Sequence, residues 1–156
     1  MKHLLTLLFF LTTFNKNHDN GYEIDFKCYQ GYVFDTNTKV QFLNGTEKRF
    51  VPTQKEIERT EKIIFERIPE NKLAIFKQVN CPKIAKNLKK YNRQYIGYIN
   101  SNGERIIWIN FIWRKECPEN WKKEIIINID GCSYFWQVKI NLRVDEIFDF
   151  YVNGVA

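Results

Sequence analysis

The C-terminal part of the chain alternates apolar and polar side chains with a period of two, which constrains the fold more than any other feature. In the stretch YFWQVKINL, large apolar side chains occupy every second position, and Gln137, Lys139 and Asn141 lie between them. Successive side chains of a strand point to opposite faces of the sheet, so one face is predicted to be buried. The predicted buried face consists of Tyr134, Trp136, Val138, Ile140, Leu142, Phe148, Phe150 and Val152.

Short turns separate the predicted strands of the C-terminal half. Strands joined by short connections pair antiparallel with their neighbours, so these segments predict a meander. The second of them is nearly as apolar on one face as on the other, which indicates a central strand or one covered on both sides. The predicted strands are 91–99, 104–114, 121–130, 134–142 and 147–152, and a further strand is predicted at 39–45.

One amphipathic helix is predicted over residues 54–68. Thr53 and Glu56 have the spacing of a capping box at its start, and Pro69 ends it. Its apolar stripe contains Ile57, Ile64, Phe65 and Ile68. A sheet with an apolar face needs a cover, so we predict an α+β fold. In this fold the one long helix packs on a curved antiparallel meander of four to five strands.

The first 20 residues have the pattern of a signal peptide. Lys2 and His3 precede an uncharged apolar run from Leu4 to Leu11, which is too short to span a bilayer. The alternative is a hydrophobic first strand or helix of the fold. We therefore predict a signal peptide at 1–20 and a single domain at 21–156. The mature chain is expected to be secreted or periplasmic and to carry no integral membrane span.

Four cysteines in a small exported domain predict two disulfides, while four free thiols in a cytosolic protein are the alternative. Cys117 and Cys132 flank the predicted third strand at opposite ends, too far apart for a disulfide. The predicted topology favours Cys81–Cys117 together with Cys28–Cys132. If residues 82–90 double back, Cys81–Cys132 becomes the alternative.

The residue inventory argues against enzyme activity. The two histidines, His3 and His18, lie in or beside the leader, which excludes histidine-dependent hydrolysis and histidine-ligated metals. The acidic candidates for acid–base chemistry fall in predicted turns or between core aromatics, and no phosphate-binding glycine motif is present. We therefore predict no catalytic residues, no metal and no cofactor. The net charge of +6 is spread over isolated basic pairs, so no nucleic-acid partner is predicted.

The layout of one long helix on an antiparallel meander resembles the cystatin-like superfold, and NTF2-like and PepSY-like modules share its outline. The segments RQYIGYI, GERIIWINF, DGCSYFWQVKINL and FDFYVNGVA also resemble a group of small exported bacterial proteins, a likeness that implies no activity. Cystatins inhibit papain-type proteases through a Q-x-V-x-G hairpin, and the nearest segment here is Arg93–Gly97. In it, the Gln lies three residues before the Gly instead of four. Trp121 resembles the second inhibitory wedge of that family.

These observations predict a small exported non-enzymatic domain with a binding or structural role, whose partner is an envelope or extracellular protein. The alternatives are a papain-type protease inhibitor acting through the hairpin at 97–103, and a small-ligand carrier using the concave sheet face. Phe135, Lys139 and Tyr151 are predicted to point outward from the sheet. The candidate contact residues are Gly97, Trp121, Phe135, Lys139 and Tyr151.

Overall fold

The computed structural model describes residues 21–43, 45–75 and 80–154, so the predicted signal peptide at 1–20 lies outside it. Within these ranges the chain is α+β, with one long helix and two short ones. The helices are α1 Gln54–Arg67, α2 Lys72–Ile75 and α3 Ile84–Asn87. The strands are β1 Tyr22–Asp25, β2 Gln30–Val33, β3 Arg49–Phe50, β4 Tyr91–Ile99, β5 Arg105–Trp113, β6 Phe135–Asn141 and β7 Glu146–Val152.

The strands form one open, mixed sheet in the order β1-β2-β4-β5-β6-β7, with β3 beside β4. β2 runs parallel to β4, and the other described pairs are antiparallel. The α+β class is therefore confirmed, but the purely antiparallel meander of four to five strands is too simple. The N-terminal part adds β1, β2 and β3, whereas the strand predicted at 39–45 is absent from the described residues there, which are turns and irregular backbone.

The strand predicted at 121–130 is wrong. Those residues form turns and irregular backbone, and β5 pairs directly with β6. Two buried amides on the outer face of the sheet bind this segment instead of a neighbouring strand. Gln94 donates to the carbonyls of Trp121 and Glu124 and accepts from the Ile126 amide, while Asn110 donates to the Ile126 carbonyl. The segment therefore lies across the sheet and is held there by side chains.

The inner face of the sheet packs against α1. The helix begins as predicted, since Thr53 and Glu56 form both hydrogen bonds of the capping box. Trp136, Val138, Ile140 and Leu142 are buried in the resulting core, as the alternation predicts. Trp136 stacks on Phe111, with ring centroids 3.5 Å apart. β5 is central and buried on both faces over most of its length, which confirms that prediction too.

A β-bulge in β7 overturns the predicted orientation of Phe148. Lys139 pairs with Phe148 and Gln137 pairs with Tyr151, so Asp149 and Phe150 together oppose Val138. Asp149 has a φ of +47°, in the left-handed region that aspartate tolerates better than most residues. The extra residue places Phe148 in the outer cluster, whereas Phe150 and Val152 pack on the inner core as predicted.

One disulfide joins Cys81 to Cys132, with Cα atoms 6.3 Å apart. The favoured pairing of Cys81–Cys117 with Cys28–Cys132 is therefore wrong, and its alternative is confirmed. The favoured pairing depended on a strand at 121–130, which does not form. In addition, α3 leads the chain back to the sheet before β4. Cys28 is exposed and Cys117 is half-buried, and neither is bonded. No helix among the described residues has the length and apolar character needed to cross a membrane.

Candidate functional site

The predicted contact residues separate into buried and accessible ones. Trp121 and Phe135 are only 7% and 8% exposed, because both pack with Ile112 on the outer face, and Trp121 is itself the first residue of the segment that crosses this face. Phe135 does point away from α1, but Trp121 and Ile126 of the crossing segment pack in the same cluster with it. Tyr151 is 56% exposed, and Lys139 lies near it with a partly accessible ammonium group. Of these four residues, only Lys139 and Tyr151 are therefore accessible to a ligand or partner.

Gly97 lies inside β4, before the turn that joins β4 to β5. It pairs with Phe50 of β3 on one side and with Ile107 of β5 on the other. A Cβ atom at this position would come 2.6 Å from the Phe50 carbonyl oxygen and 2.7 Å from the Phe50 ring. The glycine is therefore required for the close approach of β3, and β3 covers it.

The variant Gly97→Ala is expected to lower the free energy of unfolding by about 1–3 kcal/mol, because the added methyl group would collide with the Phe50 backbone. The matched control is Gly154→Ala, where no heavy atom lies within 4 Å of the new Cβ. That control is expected to change stability by less than about 0.5 kcal/mol. Urea denaturation of both variants measures the difference, and equal stabilities would contradict the proposed packing role.

Lys139 and Tyr151 border the same cleft, which we call the outer cleft. It has a volume of about 380 Å³. It lies on the face of the sheet opposite α1, between the β6–β7 pair and the loop after β2. The residues that line the outer cleft include Phe42, Trp108, Gln137, Lys139, Asp149 and Tyr151.

Hydrogen bonds hold the polar groups of the outer cleft in place. The Lys139 ammonium donates to Asp149 Oδ2 at 2.8 Å, and the Trp108 indole nitrogen donates to Gln137 Oε1 at 3.3 Å. The Phe42 ring lies 4.5 Å from the Trp108 ring, measured between centroids. The site therefore has an aromatic wall beside an ammonium, a carboxylate and an amide.

Lys139 and Asp149 form an ion pair. Partial burial of Lys139 lowers its pKa, but the hydrogen bond that its ammonium donates to Asp149 and the interaction with Tyr98 outweigh that effect, so the pKa of Lys139 is raised overall. Burial also raises the pKa of Tyr98, which keeps its hydroxyl protonated. The pair has no net charge, so the outer cleft presents a donor and an acceptor side by side without favouring either sign of ligand.

Sequence reasoning missed several residues of this cleft. Trp108 is part of the second apolar face of β5. The sequence indicates that this face is covered, but it does not show which residues cover it. Asp149 lies between Phe148 and Phe150 in the sequence, but its bulge and its pairing with Lys139 depend on the register of β7 against β6. Phe42 comes from a loop distant in sequence, and no local pattern connects it to Trp108.

The other ionisable cluster of note is buried between α1 and the sheet. The Glu61 carboxylate of α1 accepts hydrogen bonds from the Tyr29 and Tyr95 hydroxyls, each at 2.7 Å. The Arg93 Nε atom lies 3.0 Å from Glu61 Oε1. The guanidinium also donates to the carbonyls of Tyr91 and Leu88, and it lies 3.6 Å from the centre of the Tyr29 ring. The cluster therefore joins the helix to β4 and to Tyr29, the residue before β2, through charge-assisted hydrogen bonds.

Burial is the main cause that raises the pKa of both Tyr29 and Tyr95, and the Glu61 charge adds to it. Burial likewise raises the pKa of Tyr91. The three hydroxyls therefore stay protonated and act as donors. Glu61 and Arg93 are 5% and 0% exposed, so substrate cannot reach them in this conformation. Their arrangement explains the attachment of α1 and provides no accessible acid or base.

Together these features define an open mixed-sheet α+β domain with an exposed, charge-neutral cleft on the face away from its long helix. A scan against protein-family models and searches of curated proteins and solved structures found no match to this chain. Among the described residues, no group of three or more His, Cys, Asp or Glu side chains is placed to hold a metal ion.

Proposed function

We propose that the chain is an exported, non-enzymatic binding domain whose binding site is the outer cleft. The observation that carries this proposal is the position of Lys139, Asp149 and Tyr151 around one open cleft with an aromatic wall. Small-molecule sites are concave, largely apolar surfaces with a few polar groups that fix orientation. The Cys81–Cys132 disulfide supports export, because disulfides persist in oxidising compartments.

The ligand class follows from the chemistry of the cleft. The adjacent ammonium and carboxylate of Lys139 and Asp149 match neighbouring hydroxyls, each of which both donates and accepts. Tyr151 offers an exposed ring for an apolar face of the ligand. Because the pair has no net charge, we propose a neutral polyhydroxylated ligand of one or two sugar rings.

The two alternative functions have less support in the geometry. A cystatin-like inhibitor would present Gly97 at an open edge, but β3 covers that residue. A carrier using the concave face would need space between α1 and the sheet, where Phe111, Trp136 and their neighbours are packed closely. The outer cleft is open, and we therefore prefer it as the binding site.

The test is a titration of ¹⁵N-labelled protein with neutral disaccharides such as cellobiose, maltose and chitobiose. The indole N–H of Trp108 donates to Gln137 inside the cleft, so its resonance reports occupancy. At least one disaccharide is expected to shift this resonance at saturable concentrations. Lys139→Met and Tyr151→Ala are each expected to weaken that binding by about tenfold or more.

Lys62→Met is the matched control, since Lys62 is an exposed lysine of α1 that pairs only loosely with Glu66 at 3.8 Å. This variant is expected to leave the affinity unchanged. Shifts confined to residues near Gly97, together with inhibition of a papain-type protease, would instead support the inhibitor function. A Trp108 resonance that no neutral sugar moves would contradict the proposed ligand class.

A further inference from the structure

We propose that Cys28 and Cys117 form a second disulfide, which fastens the turn between β1 and β2 to the end of β5. This inference rests on the export part of the proposed function for its oxidising surroundings. It is independent of the outer cleft and of any ligand there. In the structure both thiols are free, and they lie near the same end of β4.

One side chain of β4 contacts both cysteine-bearing segments. The Nδ2 atom of Asn92 lies 3.6 Å from the Cys117 sulfur and donates a hydrogen bond to it. The Oδ1 atom of the same Asn92 accepts from the Gln30 amide at 3.1 Å, two residues after Cys28. A single amide group thus contacts Cys117 itself and the backbone two residues after Cys28, which brings two segments far apart in sequence together.

A second contact joins the same two segments. Arg114, three residues before Cys117, donates from its guanidinium to the Cys28 carbonyl oxygen. Cys28, Asn92 and Arg114 line a cleft of about 300 Å³. This open space allows the exposed Cys28 side chain to turn toward Cys117 without displacing core residues. The turn is already tight, since Lys27 has a φ of +67°.

The accessibility of the two thiols sets the order of events. Burial raises the pKa of Cys117, against the smaller opposing effects of Asn92 and Lys122, so this thiol reacts slowly with reagents in solution. The exposed Cys28 thiolate therefore attacks a disulfide donor first and forms a mixed disulfide, releasing one thiol of the donor.

Cys117 then loses its proton and attacks the Cys28 sulfur, and the second donor thiol leaves. The new bond is Cys28–Cys117. In total, two protein thiols give two electrons and two protons to one donor disulfide, which becomes two thiols. A small-molecule disulfide or an oxidoreductase disulfide supplies the oxidising equivalents.

The experiment uses full-length protein incubated with oxidised glutathione, then unfolded and treated with iodoacetamide before non-reducing peptide mapping. The expected result is no alkylated cysteine, with one peptide pair containing Cys81 and Cys132 and another containing Cys28 and Cys117. Alkylation of both Cys28 and Cys117 after this treatment would overturn the proposal. So would a Cys28–Cys28 bond between two molecules.

Two variants separate a specific pair from random oxidation. Cys117→Ser is expected to retain glutathione on Cys28, because no second thiol is available to release it. Cys28→Ser is expected to leave Cys117 as a slowly reacting thiol. The oxidised wild type is expected to unfold about 10 °C higher than the double variant C28S/C117S, and equal midpoints would count against a disulfide that constrains the fold.

Protein recovered directly from cells distinguishes this inference from the premise of export. If Cys28 and Cys117 are found as thiols in that material but pair in glutathione, the disulfide is supported and export is contradicted. If they are already paired on recovery, both are supported.

Discussion

The variant Arg93→Met is expected to lower the free energy of unfolding by about 3–5 kcal/mol, measured by urea denaturation. Methionine leaves the Glu61 carboxylate buried without its cation, and breaking a buried ion pair on one side is strongly destabilising. The carbonyls of Tyr91 and Leu88 also lose the donors that Arg93 supplies. The loss of stability is expected to be large because these groups are buried and cannot form hydrogen bonds with water instead.

The matched control is Arg59→Met, which removes an arginine of α1 from an exposed ion pair with Asp145. Exposed pairs contribute about 1 kcal/mol or less, so this variant should remain close to wild type. The double variant E61Q/R93M is expected to be more stable than R93M alone, since it removes the uncompensated negative charge. If Arg93→Met lowered the free energy of unfolding no more than Arg59→Met, this result would contradict the role of the buried Arg93–Glu61 pair in attaching α1 to the sheet.

Stability is also expected to fall steeply above about pH 10, the ordinary pKa of tyrosine. The pKa values of Tyr29, Tyr91 and Tyr95 are raised in the folded state, mainly by burial. Below pH 10 the hydroxyls are protonated in both states, and their contribution to stability is complete. Above pH 10 the unfolded chain releases protons that the folded chain retains, so unfolding becomes easier as the pH rises.

Each of these tyrosines contributes about 1.4 kcal/mol per pH unit in that range, which makes about 4 kcal/mol per unit for the three. Urea denaturation at several pH values between 9 and 11.5, with tyrosinate absorbance recorded in parallel, measures the slope. The variant Tyr29→Phe is expected to reduce the slope by about 1.4 kcal/mol per unit. A free energy of unfolding that stays constant over this range would contradict the assigned burial of the hydroxyls.

The elements that depend on local patterns were predictable from the sequence. The capping box and the apolar stripe placed α1 to within a residue of its observed end, and alternation placed β4, β5 and β6 closely. The two apolar faces of β5 correctly indicated its central position. In each case the information lies within a few residues of the element itself.

The features that sequence reasoning missed depend on distant partners. Residues 121–130 have the composition of a strand, but Gln94 and Asn110 supply the hydrogen bonds that a neighbouring strand would otherwise provide. The strands β1 and β2 have four residues each, too few to show a period. Since the missing strand also set the predicted distances between cysteines, the favoured disulfide pairing failed with it. The outer cleft could not be predicted because it depends on the bulge at Asp149, and the alternation of apolar and polar residues does not reveal a bulge.

That bulge has a consequence for self-association. β7 is the last strand of the open sheet, and an exposed edge strand offers its free amides and carbonyls to the edge of another molecule. The extra residue at Asp149 interrupts the regular spacing of those groups, increases the local twist and adds a carboxylate near the edge. The bulge therefore disfavours continuation of the sheet by a second copy past the middle of β7. The residue that completes the polar side of the outer cleft also helps to keep this edge from growing into a larger sheet.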